Sequence, residues 1–314
     1  MSERIPLPMP FGWFRVSESK DLEAGEVKTV RYLGQEFVLF RGEDGQANVV
    51  DPYCAHLGAH LGYGGAVEGN DIRCPFHHWK YDGGGQCVDV PYAKKIPEKA
   101  FIKAYPTCEK NGIVFMWHHP HGDEPKWEVP EVPEWCAEGW LEPVYHTTTV
   151  RSHPQEMAEN VVDSPHFHYV HGTPDIPHKE FTFEGHIMRA FQALTFTTPD
   201  GELKGSVHIE SHGGSIGITR FEGIGETLLI VTGTPVDEDH HETVMRFSFR
   251  LFNDSIEATK GLADAFIGEV KRQHGQDVPI WENKKFHENP VLCDGDGPIH
   301  SIRKYYQQFY ADPV

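Results

Sequence analysis

Two short stretches of this 314-residue chain constrain its fold more than any other feature: Cys54-Ala-His56 and, 17 residues further on, Cys74-Pro-Phe-His77. Each arm offers one sulfur and one imidazole. For the four to meet, the backbone must double back tightly, and Gly58, Gly62, Gly64 and Gly65 supply turns between the arms. Histidine is abundant, 21 residues, and bunches at 56–60, 77–78, 118–121 and 166–171. Neutral imidazole is the commonest protein metal ligand, so such bunching points to metal. Solvated surface histidine is the plainer reading for 118–121.

Two thiolates on one iron and two imidazoles on the other form the ligand set of a Rieske [2Fe–2S] centre. Imidazole in place of thiolate removes negative charge and raises the potential to roughly −150 to +300 mV. A Cys2His2 zinc site is the chemical rival. Zinc fingers, however, pair Cys with Cys and His with His within each arm, and the one-residue Cys–His gap breaks that spacing.

CAHLGAHL and CPFHHWKYD resemble the cluster loops of Rieske oxygenases. The resemblance implies that Cys54, His56, Cys74 and His77 hold the cluster. Respiratory-chain Rieske proteins clamp theirs with a disulfide, whose two positions here carry Ala59 and Phe76, so the oxygenase or ferredoxin type is expected. A second stretch, from Asn160 through Asp163 and His166 to His171, is similar to the Asn-x2-Asp-x2-His-x4-His motif of Rieske non-haem iron oxygenases. It implies a mononuclear Fe(II) held by His166 and His171. Two histidines and a carboxylate on one face of iron leave positions open for O2 and substrate. His168 competes by chemistry alone, and the family pattern places it outside the ligand set. By the same resemblance Asp163 bonds His166 and a neighbouring subunit's counterpart of His77, while Asn160 lies near the iron without ligating it.

The third ligand is expected far downstream. Trp281-Glu282-Asn283-Lys284 and the segment Asn289 to Pro298 resemble the end of ketosteroid 9α-hydroxylase oxygenase components, which implies Asp296, directly before Gly-Pro, as the ligand. Asp294 is the alternate, and a role for Asp296 in shaping the turn before a helix opened by Pro298 also stays open. Cys293 is read as a packed thiol.

The order of elements fits this reading. Strand-like runs at 11–16, 27–33, 37–41 and 47–51 precede the cluster arms, and Ile113–Trp117 closes the first half. Five prolines between 119 and 143 suit a linker, which places the boundary near 140: a Rieske domain over 1–140 and a catalytic domain over 141–314. The second half reads as strand 145–150, helix 155–162 ended by Pro165, strands at 187–196, 205–211, 216–221, 227–232 and 243–252, then a helix over 255–274 and a last one after Pro298. The expected fold is α+β: an all-β N-terminal domain, then an antiparallel sheet with covering helices, of the helix-grip type.

Lys+Arg 28 against Asp+Glu 47 gives a net charge of −19, which argues against nucleic acid or anionic lipid as partner. No apolar run is long enough to span a membrane, and the start lacks the pattern of a secretory signal. Reduced thiols in a cytoplasm are therefore expected for the six cysteines. No dinucleotide fingerprint is found, since Gly83-Gly84-Gly85 follows the cluster motif, so NAD(P)H electrons are expected through a separate reductase. Against the acidic background, residues 80–103 hold Lys80, Lys94, Lys95, Lys99 and Lys103, a candidate docking face for an acidic electron donor. The resemblance thus implies the oxygenase component of a monooxygenase, a homotrimer by analogy, hydroxylating or desaturating a steroid or sterol. An aromatic or other small apolar substrate, a Rieske-type electron carrier and a zinc-stabilised binding protein are the alternatives.

Overall fold

The computed structural model describes residues 4–198, 201–223 and 225–312, which divide into two compact units. Phe11–Glu131 forms one. Its outer sheet joins β1 (Gly12–Glu18), β11 (Ile113–His118) and β10 (Thr107–Lys110), and a second joins β2 (Val27–Tyr32), β3 (Gln35–Arg41), β4 (Ala47–Val50) and β9 (Ala104–Tyr105). Phe37 to Phe40 and Ile113 to Met116 are fully buried, so these runs of β-branched and aromatic residues read as strands buried on both faces. A third, smaller sheet pairs β5 (Ala66–Glu68), β6 (Asp71–Arg73), β7 (Lys80–Tyr81) and β8 (Cys87–Asp89). It carries the cluster arms: one precedes β5 and the other joins β6 to β7.

The proline-rich stretch is a packed strap rather than a free linker. Trp13 Nε1 donates to Trp127 O at 2.7 Å, Trp117 Nε1 to Asp123 O at 2.8 Å and Asn111 Nδ2 to Pro130 O at 2.9 Å. The units therefore divide after Glu131 instead of near 140. From Val132 onward the chain binds the second unit, with Glu134 on Arg220 at 2.5 Å and Leu141 N on Phe249 O at 2.8 Å. Residues 4–10 also belong there: Arg4 donates to the carbonyls of Trp281 and Lys284 at 2.8 and 2.7 Å.

The second unit is a seven-stranded antiparallel sheet. Its order is β12 (Val144–Val150), β18 (His241–Phe249), β17 (Thr227–Pro235), β16 (Ile216–Glu222), β15 (Gly201–His212), β14 (Ile187–Thr198) and β13 (Glu180–Glu184). Between β12 and β13 come α1 (Pro154–Val162) and α2 (Pro165–Tyr169); after β18 come α3 (Ile256–Asn283) and α4 (Ile299–Gln307). Ala263 and Ile267 of α3 pack on Leu229, Met245, Phe247 and Phe249, so one long helix is gripped by the sheet. The helix runs past the expected end at His274 and through Pro279, which removes a single backbone hydrogen bond near its last turn. Its buried stripe of Ala263, Ile267, His274, Asp277 and Trp281 keeps helical spacing to the end. Arg303 of α4 grips Glu159 of α1 with two bonds of 2.9 and 3.0 Å, and Tyr310 OH donates to Gln155 at 2.6 Å.

Candidate metal centres

The two cluster arms are one turn built twice. Cys54 N donates to Ala59 O and Gly58 N to Cys54 O, while Cys74 N donates to Trp79 O and His78 N to Cys74 O. In each, the residue four past the cysteine takes a left-handed backbone, Gly58 at φ 73 and His78 at φ 62. Glycine adopts that region freely and histidine at some cost. The turns bury the Cys54 and Cys74 side chains in the unit's core and set the rings of His56 and His77 edge to face, centroids 4.7 Å apart. Trp79 stacks flat on His56 at 4.6 Å, and its Nε1 donates to Tyr92 OH at 2.8 Å.

Nδ1 of His56 and Nδ1 of His77 are both buried with no hydrogen-bond partner. A buried polar atom left without a partner is costly, so two of them on the same arms as the buried Cys54 and Cys74 fit a cluster of the Rieske type. Tyr81 OH lies 3.1 Å from Cys54 Sγ and accepts from Ala55 N at 3.2 Å. With its lone pair so engaged, the hydroxyl is left to donate to the sulfur. Burial first, and then the Cys54 thiol, push the Tyr81 phenol up, which keeps it a donor.

In the second unit, His153 caps α1 by accepting from Gln155 N at 3.1 Å, with Pro154 at the first helical position. The helix ends at Asp163, and Pro165 opens α2, so Asn160, Asp163, His166 and His171 are brought together over two short helices. His166 and His171 stand with ring centroids 5.0 Å apart at 85°. The carboxylate that joins them is Asp277 of α3: one ligand atom from each of the three lies within 4.8 Å of the others. Asp277 Oδ2 is 3.4 Å from His171 Nε2. Asn160 Nδ2 lies 3.3 Å from both His166 Nε2 and Asp277 Oδ2. Burial pushes the His166 imidazole down and the Asp277 carboxyl up, the strain that a divalent cation held among them would relieve. Their other ring atoms are fixed from behind. His166 Nδ1 donates to Asp163 O, and His171 Nδ1 to Gln276 Oε1 at 3.1 Å, so in each ring Nε2 is left to ligate.

Asp296 is not at this centre, and neither is Asp294. Asp296 Oδ2 accepts from Cys293 N at 2.7 Å, closing an exposed turn. The neighbouring Gly297 explains the motif: a Cβ there would sit 1.8 Å from Val162 O, so the turn presses directly on the end of α1. Asp296 thus belongs to a structural turn that supports the helix carrying Asn160. Sequence reasoning missed Asp277 and Gln276 because the apolar pattern thins after Val270, so the helix is expected to end at His274. The signal that could have found them was Trp281, in helical step with Ala263 and Ile267. Asp163 is half-exposed, its Oδ2 3.8 Å from His166 Nδ1, and His168 Nδ1 bonds Thr173 O at 2.6 Å, away from the triad.

Asn160 also lines a cavity of about 290 Å³ between α1, the sheet and α3. Its walls are mainly apolar, with Met157, Val161, Ile209, Ile216, Met245 and Trp281 among them. Among the described residues no helix is long and apolar enough to cross a membrane.

Residues 12–106 match the model of the Rieske [2Fe-2S] domain, and residues 116–310 match that of the 3-Ketosteroid 9alpha-hydroxylase C-terminal domain. A probable 3-ketosteroid-9-alpha-monooxygenase oxygenase component of Rhodococcus rhodochrous is 35% identical, over 96% of this chain and 80% of its own length. Cholesterol 7-desaturase nvd 1 of Ciona intestinalis is 32% identical, over 99% of this chain and 71% of its own. The fold is shared with Pseudomonas putida CBB5 NdmB, at 19% identity and a TM-score of 0.75, over 95% of this chain and 90% of that one. It is shared as well with dicamba monooxygenase bound to dicamba, at 17% identity and a TM-score of 0.69, over 96% and 97%. The chain belongs to the Rieske non-haem iron oxygenases, oxidoreductases with a [2Fe–2S] Rieske cluster and a mononuclear iron.

Proposed function

We propose that this chain is the oxygenase component of a monooxygenase system, inserting oxygen into, or desaturating, a steroid or sterol-like substrate. One observation carries the reading: Asn160 touches His166 and Asp277 of the triad, each at 3.3 Å, and also lines the wall of an apolar cavity. Its volume, about 290 Å³, sits at the small end of the range usual for ligand sites. When bound, the cluster relays single electrons and the mononuclear iron activates O2. The protein does the rest. Cys54, His56, Cys74 and His77 hold the cluster, and His166, His171 and Asp277 hold the iron. Gln276 and the Asp163 carbonyl keep both histidines in the tautomer that ligates, while Asn160 sets the boundary between metal and substrate. The apolar walls exclude water.

Electrons from NAD(P)H would enter through a separate reductase. Lys94, Lys95 and Lys99 are exposed and suit an acidic donor, whereas Lys80 faces Glu68 and Asp89 and Lys103 lies over Tyr105. Leu57 and Phe76, beside the cluster histidines, are 67% and 60% exposed, apolar surface that favours an interface, and the assembly proposed for it is a homotrimer. Asp163 would then link His166 to the cluster histidine of the next subunit. All six cysteines are unpaired, which favours a reducing cytoplasm.

The test is turnover by the reconstituted enzyme, with reductase and O2, on a panel of sterols, ketosteroids and aromatic acids. Oxidised steroid is the expected product, together with about three irons per chain. Turnover confined to aromatic acids would remove the steroid substrate, and two irons per chain would leave only an electron carrier.

A further inference from the structure

The cavity beside the triad holds one group out of keeping with its walls. Among the described residues Lys179, just before β13, is the only lysine, arginine or carboxylate lining it. Its Nζ lies 3.3 Å from Val161 O and 3.9 Å from the centroid of the Phe167 ring, and no carboxylate among the described residues pairs with it. An ammonium has three N–H donors, and one carbonyl plus an aromatic face leave it short of acceptors. Burial accordingly pushes its pKa down to about 8, with Asp163 opposing. The same Phe167 ring packs on His166 at 4.2 Å and on His171 at 5.6 Å. Whatever Lys179 binds is therefore held one ring's breadth from the metal ligands.

We propose that Lys179 is a specificity-determining residue, donating a hydrogen bond to a carbonyl or carboxylate oxygen on the substrate and so fixing which carbon faces the iron. This rests on the steroid-oxygenase reading above. A saturated hydrocarbon fills the same walls but gives the ammonium no acceptor, so Lys179 favours an oxygen-bearing skeleton over its parent.

The experiment measures binding of androstanone, oxygen-free androstane and cholanic acid (a steroid carboxylate) to the holoenzyme through quenching of protein fluorescence, for which Trp281 is a wall reporter. Wild type is compared with Lys179→Met and Lys179→Arg, with iron content and melting temperature as controls. Lys179→Met is expected to weaken androstanone, cholanic acid or both about tenfold or more, to leave androstane unchanged, and to scatter the position oxidised. Lys179→Arg, which keeps a donor, should restore most of the loss. A loss confined to one ligand supports the anchor and names its oxygen. Equal binding of both oxygenated ligands by wild type and Lys179→Met overturns the proposal while sparing the steroid reading. Failure of wild type to bind any of the three overturns both.

Discussion

The two metal centres are assembled by different means. The cluster arms lie within residues 54–79, and each closes its turn with hydrogen bonds to its own cysteine, so chain-local geometry places all four ligands. The iron triad has only its histidines in one place. His171 is bonded across 105 residues to Gln276, and the third ligand is the next residue along. Its position depends on α3 packing against the sheet, so this centre exists only once the whole second unit has folded. The sharpest way to break the comparison is to exchange the carboxylates. Asp277→Ala is expected to lose about one iron in three and to cut product formation by well over about 100-fold, with the reduced cluster's paramagnetic signal intact. Asp296→Ala should keep full iron and most activity. The reverse outcome, measured by metal content and turnover, would return the ligand to the Asp296 turn.

How much of this was legible in the sequence follows the same division. Both cluster arms and the His166–His171 pair are short motifs, the pair named through the family resemblance, and the structure brings the residues of each set together. The antiparallel sheet was visible in the spacing of strand-like runs such as 227–232 and 243–252, which overlap β17 and β18. Asp277 was hidden because a helix reads as ended where its apolar residues stop, yet α3 continues by burying His274, Asp277 and Trp281 instead. Asp296 was misleading for a related reason. Its motif marks a tight approach of Gly297 to α1, and close backbone packing constrains sequence as strongly as metal does.

The second unit should also be the more acid-sensitive part around its buried histidines. His153 accepts the α1 cap and meets Pro8 O, His241 meets Ser152 O, and burial pushes both down to about 4 from 6.5. Their folded pKa values are depressed, so the unfolded chain binds the extra protons between pH 6.5 and 4. Stability is then complete above about 6.5 and falls as pH drops toward 4, by up to about 3 kcal/mol for each histidine. Denaturant titrations at stepped pH should show that slope, and His241→Gln should flatten it. An unchanged slope would mean that His241 is not held neutral. Next in size is Gln276→Leu, which leaves all three ligands in place but frees His171 Nδ1. Iron affinity should fall about 10- to 100-fold, measured by competition with a chelator, and a wild-type value would show that the His171 tautomer is set elsewhere.

The smallest expected effect probes the cluster in return. Tyr81 OH lies 3.1 Å from Sγ of the cluster cysteine Cys54, and the side chain is fully buried. Reduction adds negative charge to the cluster, so a donor to its sulfur stabilises the reduced form more than the oxidised one. Tyr81→Phe removes that donor with little change in volume. The potential should drop by about 60 mV, one tenfold change in a one-electron equilibrium, with iron content and the His56–Trp79 stack unaltered. Because the arms close on their own backbone bonds, the cluster should survive the loss. If Tyr81→Phe instead sheds the cluster, the arms are not self-sufficient, and the contrast between a locally built centre and one built by tertiary packing no longer holds.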